Sequence, residues 1–237
     1  MFATPVYAAA DSGAEQGAAL FTLFGLEVTS VTTTAWGLAL VLALVGIVAT
    51  RKLERIPTSR LQVGAELLLD TLIGFFGDVM GSEEKAKRYL PLLGTFFLFI
   101  LMCNYSGLIP GVGLVPGMQT PTSTLSVTAA FAAIVFFFTH YYGFRENGWS
   151  YIKHFTEPII LLLPLNLLGE FTKPLSLSLR LFGNIYGEGM VVAGLFSIVP
   201  ILVPVPLELL SMLLGFIQAL VFTLLASVYI ASATSEP

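Results

Sequence analysis

Three stretches of the chain run apolar for about the length of a membrane crossing, and two more do so with charges embedded in them. The first, Thr34 to Thr50, stops at Arg51, Lys52 and Arg55; the second, Leu90 to Ile109, ends at Pro110 and a Gly/Pro-rich segment; the third is Leu125 to Tyr142. At 1.5 Å per residue each roughly matches a hydrocarbon layer of about 30 Å. None alternates apolar and polar residues strictly, so the runs predict helices and not barrel strands. Pro158 to Val199 is also apolar but carries Glu170, Lys173, Arg180 and Glu188, and Pro206 to Ala233 carries Glu208 and Gln218. At about 40 residues the former is too long for one upright crossing. Pro164 and Pro174 could kink it, yet neither is flanked by a polar turn. The pattern therefore predicts two long, tilted helices, over 158–196 and 206–233, joined by the proline-rich segment from Ser197 to Pro206.

Between the first two spans, within a loop over 51–89, Arg60 to Arg88 places Leu61, Leu67, Leu68, Leu72, Phe75, Phe76 and Val79 at helical spacing, with Glu66, Asp70 and Asp78 interleaved. This predicts an amphipathic helix on the membrane surface; a helix packed on a soluble partner domain is the competing reading. Residues 1–33 read as an outside tail. Ala8 to Ala10 resembles a cleavage site, but no basic region or useful apolar stretch precedes it, so no cleavable signal is expected.

Composition agrees. Hydrophobic residues make up 56% of the 237 and charged residues 11%, against about 25% charged in soluble domains; the mean hydropathy is +0.86. The expected fold class is an all-α membrane protein in a single membrane domain over 1–237, with about five membrane helices and one surface helix. The single cysteine, Cys103, excludes an intramolecular disulfide.

The net charge of −4 says less than where the charges fall. Arg51, Lys52, Arg55, Arg60, Lys85, Lys87, Arg88, Arg145 and Lys153, nine of the 11 basic residues, lie in two loops that five alternating helices put on one side. The segments Asn104 to Thr124 and Ser197 to Pro206 have no basic residue. Basic loops mark the cytoplasmic face, so the N-terminus is expected outside and the C-terminus inside. No internal repeat is visible, which weighs against an inverted-repeat transporter.

The remaining basic residues, Lys173 and Arg180, sit within an apolar helix. A charge at bilayer depth costs roughly 2.5 to 3.5 kcal/mol on insertion scales, and an arginine cannot shed its proton. Arg180 is far from both helix ends, with no acid one turn away. At 100° per residue Lys173, Ser176, Arg180, Gly183, Asn184 and Gly187 share one polar or small face, which suits docking against a partner that brings a carboxylate. Glu188 lies two turns beyond Arg180 toward the outside. In the last helix Glu208, Ser211, Gly215, Gln218 and Phe222 form a matching stripe. Antiparallel packing would bring Gln218 near the level of Arg180 and Glu208 near that of Glu188. Two carboxylates would then line an outer wet path, with Glu170, Lys173 and Ser176 in the inner half.

Blander readings exist for each residue. Arg180 could form a structural ion pair with Glu170 or Glu188, Lys173 could snorkel, Glu188 and Glu208 could be rim residues, and Asn184 and Gln218 could be helix–helix glue. His140 and His154 receive no role. No metal cluster, phosphate loop or nucleophile–base arrangement stands out, so no catalytic residue, metal, cofactor or nucleic-acid partner is expected.

The run Lys173-Pro174-Leu175-Ser176-Leu177-Ser178-Leu179-Arg180-Leu181-Phe182-Gly183-Asn184 resembles the signature of subunit a of F-type ATP synthases. Gly215 to Phe222 resembles that family's last helix, and Asn104 to Pro110 with Pro121-Thr122 is similar to the segment between its second and third helices here. The resemblance covers about Leu90 to Tyr229. It implies a stator ion channel of bacterial type, set in the plasma membrane and working with a ring of c subunits, peripheral-stalk b subunits and the remaining synthase subunits. Arg180 would face a ring carboxylate, Glu188, Glu208, Ser211, Asn184 and Gln218 would serve the outer half-channel, and Ser176, Lys173 and Glu170 the inner one. The coupling ion, H⁺ or Na⁺, stays open. The chain departs from the family at Gly189, where many members carry Glu; its acid is Glu188, one residue earlier, with Glu208 standing one turn beyond Ser211, where some members carry His or Glu. A stand-alone secondary transporter and a non-conducting scaffold are the alternatives.

Overall fold

The computed structural model describes residues 19–23, 26–51, 59–108, 120–151, 163–198 and 204–235. They form six helices and one short hairpin: β1 (Ala19–Leu23), β2 (Leu26–Thr29), α1 (Ser30–Thr50), α2 (Arg60–Met80), α3 (Glu83–Ser106), α4 (Leu125–Asn147), α5 (Leu163–Ile198) and α6 (Pro204–Thr234). The fold is thus all-α apart from the hairpin, whose antiparallel register pairs Leu23 with Leu26 and Thr22 with Glu27. It lies in what reads from sequence as a tail, because two strands of four or five residues leave almost no periodic signal. By length and composition α1, α3, α4 and the stretch Pro206–Thr234 of α6 are each able to cross a membrane.

Local chemistry moves several boundaries away from the apolar runs. The helix α2 stops at Gly81, whose φ of 66° lies in the left-handed region that glycine adopts without penalty. One residue later Ser82 caps α3, its hydroxyl accepting from the Lys85 amide at 3.4 Å, and Glu83 and Glu84 complement the helix dipole in the first turn. That helix therefore begins at Glu83 and not near Leu90; its first turns carry charges that hydropathy reads as loop. The helices α1 and α4 likewise extend past their apolar runs, to Ser30 and to Asn147. Pro174 lies inside α5, which continues through it for 36 residues. The expected start at 158 falls outside the described residues.

The amphipathic helix α2 turns its apolar face to its own chain. Leu72, Phe76 and Met80 join a core shared with Tyr89, Leu93 and Ile100 of α3, while Leu67 and Phe75 stay exposed. The core continues through Phe131 and Val135 of α4, Leu177 and Leu181 of α5, and Phe222, Ala226 and Ile230 of α6. By contrast α1 buries only Ser30 and Val31, leaving Trp36, Leu40 and Leu44 for an apolar surrounding.

One end of the bundle, which carries the basic residues, is tied by polar contacts. Glu146 accepts from Arg88 Nη1 and from the Tyr89 hydroxyl, both at 2.6 Å, joining α4 to α3. Asn147 Nδ2 donates to the carbonyls of Ala233 and Ser235 at 3.1 Å each, covering the terminal acceptors of α6. Gly143 lets the chain close there: a Cβ would stand 2.6 Å from the Tyr151 ring and 3.1 Å from the Ala233 carbonyl.

Candidate functional site

The charges of interest lie on α5, and its packing decides which of them are available. Leu177, Ser178 and Leu181 point into the bundle, with Ser178 in hydroxyl contact with Thr128 of α4 at 3.3 Å. The adjoining stripe is left uncovered: Ser176, Arg180, Gly183 and Asn184 are exposed. A Cβ added at Gly183, Gly187 or Gly189 would meet nothing within 4 Å. Among the described residues Arg180 makes no hydrogen bond and no ion pair. Neither acid suggested as its structural partner fills that role, since Glu170 is engaged elsewhere and Glu188 forms no ion pair.

Two contacts set the register of α5 against α6. Asn184 Nδ2 donates to Gln218 Oε1, and the Lys173 ammonium stands 5.7 Å from the centre of the Tyr229 ring. Both fit one antiparallel alignment. Continued along the helices, it sets Arg180 level with Phe222, Glu188 with Leu214, and Glu208 with Gly194. Gln218 therefore sits one turn from Arg180 on the side away from the basic end, beside Asn184. Glu208 lies six residues, or about 9 Å, beyond the level of Glu188. The two acids expected to face each other are not brought together: Glu188 is half-buried, Glu208 exposed and Ser211 half-buried between them.

Beside Gln218 is a residue that the sequence analysis did not single out as a site. Asn104, near the end of α3, is buried and donates its Nδ2 to the Gly215 carbonyl at 2.9 Å. Gly215 makes the approach possible, for a Cβ there would lie 3.2 Å from Asn104 Cβ. The Oδ1 of Asn104 and the Nε2 of Gln218 are both buried without a hydrogen-bond partner among the described residues. Two unsatisfied amide groups one turn apart suit bound water or a passing ion, because a buried polar atom left unmet costs about 1 to 3 kcal/mol.

The matching group toward the basic end is denser. Glu170 Oε1 is bound by the Lys173 ammonium, and Glu170 Oε2 lies 4.0 Å from His140 Nε2 on α4. Val135, Phe136, Thr139, His140, Glu170, Lys173, Pro174, Leu177 and Tyr229 surround a cavity of about 10 Å³, room for the centre of about one water. Burial and then the Glu170 charge push the Tyr151 phenol, four residues beyond α4, up to about 12. The sequence reading had Lys173 and Glu170 but neither His140 nor Tyr229, whose one clue was a polar group on a turn facing the α5 charges. No group of three or more His, Cys, Asp or Glu able to hold a metal occurs among the described residues.

An exposed arginine with no partner among the described residues, on a glycine-opened helix face and flanked by two groups of polar side chains, stands in the segment that resembles the subunit a signature. A family model described as ATP synthase A chain matches residues 32–231. The chain is also 45% identical over 215 residues to ATP synthase subunit a of Moorella thermoacetica, covering 90% of this chain and 94% of that protein. The chain belongs to the ATP synthase subunit a family. Subunit a 1 of Syntrophotalea carbinolica is 42% identical over 86% of this chain and 85% of its own length. Subunit a of Geobacter sulfurreducens is 40% identical over 85% and 86%. Within the family match lie α3 to α5, all but the last three residues of α6, and all the site residues above.

Proposed function

We propose that this subunit a is the stator ion channel of a bacterial rotary ATP synthase, embedded in the plasma membrane with its N-terminus outside and its C-terminus in the cytoplasm. It works against a rotating ring of c subunits, held by peripheral-stalk b subunits and the rest of the synthase, and has no active site of its own. Arg180 carries the reading: exposed, permanently charged and without a partner among the described residues. The open glycine face around it gives a ring helix room to come close.

The mechanism is electrostatic. An ion enters from outside past Glu208, Ser211 and Glu188 and reaches the amides of Asn184, Gln218 and Asn104. It neutralises a ring carboxylate, which can then turn into lipid. After nearly a full rotation the carboxylate meets the inner path of Ser176, Lys173 and Glu170 and releases its ion. Arg180, between the two paths, attracts the emptied carboxylate and repels cations that would leak across. Each charge moved gains about 2.3 kcal/mol per 100 mV, so several must be summed for one ATP.

The test is Arg180→Ala in vesicles carrying the assembled complex. Loss of both ATP-driven pumping and synthesis, with assembly retained, is the expected result. Persistence of both means that Arg180 is structural, and transport by the purified chain alone would point to a stand-alone transporter.

A further inference from the structure

His140 is built into the inner path in a way the family signature does not call for. Its Nδ1 lies 2.9 Å from the Phe136 carbonyl, one turn back on α4. A carbonyl only accepts, so Nδ1 carries the hydrogen and donates it, and the lone pair of the neutral ring is on Nε2. That nitrogen faces Glu170 Oε2 at 4.0 Å, while Lys173 holds the other carboxylate oxygen. Thr139 Oγ1, buried and without a hydrogen-bond partner among the described residues, lines the same small cavity. A water there would find a hydroxyl, a carboxylate and a ring nitrogen, enough polar partners to hold it.

We propose that His140 is a proton-transfer residue of the inner path, exchanging a proton with Glu170 through one water; this rests on the two-path reading above. In the release direction the Glu170 O–H bond breaks, the water relays the proton, and an N–H bond forms at His140 Nε2. This leaves a carboxylate held by Lys173 and an imidazolium. The imidazolium then gives the Nε2 proton to water on the basic side, and the ring returns to its starting tautomer. Pumping runs the same steps in reverse. Among the described residues the titratable groups facing the ring include Glu170 and Lys173 from α5, Tyr229 from α6, and Tyr151 just beyond α4, whose ring stands edge-on at 6.0 Å. The relay carries protons and has no place for Na⁺, because a lysine ammonium already occupies the carboxylate and the cavity admits about one water.

The experiment measures ATP-driven proton pumping by assembled complexes in vesicles from pH 6 to 9, with Arg180→Ala run in parallel. The variants are His140→Ala and His140→Asn; the Asn amide can still donate to the Phe136 carbonyl but cannot take up a proton. Positioned acid–base groups contribute about a hundredfold or more, so both variants should lose at least about tenfold in rate, and added imidazole should restore pumping to the Ala variant. Wild-type rates in either variant across the pH range would overturn the proposal, as would an Ala defect that imidazole leaves unchanged. If Arg180→Ala abolishes pumping while the His140 variants pump normally, only the relay falls. If Arg180→Ala pumps normally, the two-path reading itself falls.

Discussion

Replacing Gly183 with leucine separates the fold of this subunit from its work. Gly183 lies one turn from Arg180 on the uncovered stripe of α5, and a Cβ there meets nothing within 4 Å. Within the chain the change should be favourable, since glycine in a helix interior is roughly 0.8 to 1 kcal/mol worse than a good helix former. Thermal unfolding of the purified subunit in detergent should therefore show a stability equal to the parent or higher by up to about 1 kcal/mol. In the complex the sign reverses. If a ring helix packs on this stripe, four added carbons overpack a close contact at a cost of about 1 to 3 kcal/mol. A loss of that size weakens docking by roughly 5- to 150-fold, and ATP-driven pumping should fall with it. Wild-type pumping by the leucine variant would show that nothing approaches the stripe. A marked loss of stability in the isolated chain would show that the stripe is packed internally.

Three further outcomes follow from the contacts described. Asn104→Leu removes both the bond to the Gly215 carbonyl and the unsatisfied Oδ1, so denaturation should shift by no more than about 1 kcal/mol while pumping drops, measured in the same vesicles. Gly143→Ala drives a methyl into the Tyr151 ring at 2.6 Å, and thermal unfolding should register a loss of about 1 to 3 kcal/mol, partly relieved by adding Tyr151→Ala. Ser82→Ala takes away the cap of α3 and should cost about 0.5 to 2 kcal/mol, with hydrogen exchange faster in the first turn from Glu83.

What hydropathy can see is the stretch that sits in lipid: the runs over 34–50, 125–142 and 206–233 lie wholly within helices, whereas the run from Leu90 to Ile109 outlasts α3, which ends at Ser106. What it cannot see is where a helix continues beyond lipid. The charged first turns of α3 are stabilised by a serine cap and two glutamates, which raise helix stability and lower hydropathy at once. The exposed face of Arg180 was legible because its cost at bilayer depth does not depend on neighbours. The positions of Glu188 and Glu208 relative to one another were not, since they depend on the register of α5 against α6, and that is set by pairs such as Asn184 with Gln218 and Lys173 with Tyr229. Asn104 and His140 escaped for a related reason. Each is one polar residue near the end of an apolar helix, and only packing reveals that Gly215 leaves room for the first and that Glu170 faces the second.

The length of α5 carries a mechanical meaning. Its 36 residues span about 54 Å, so to stay within a hydrocarbon layer of about 30 Å a straight helix would lean by roughly 56°. Glu170 and Glu188 are separated by about 27 Å along that axis. Resolved into components, the two acids would differ by only about 15 Å in depth but by about 22 Å sideways. On the proposed two-path mechanism, an ion that entered by one and left by the other would be displaced mainly along the rim of the rotor beside it. A sideways step of that kind is a tangential push, and the slant of one helix would suffice to turn a voltage into torque.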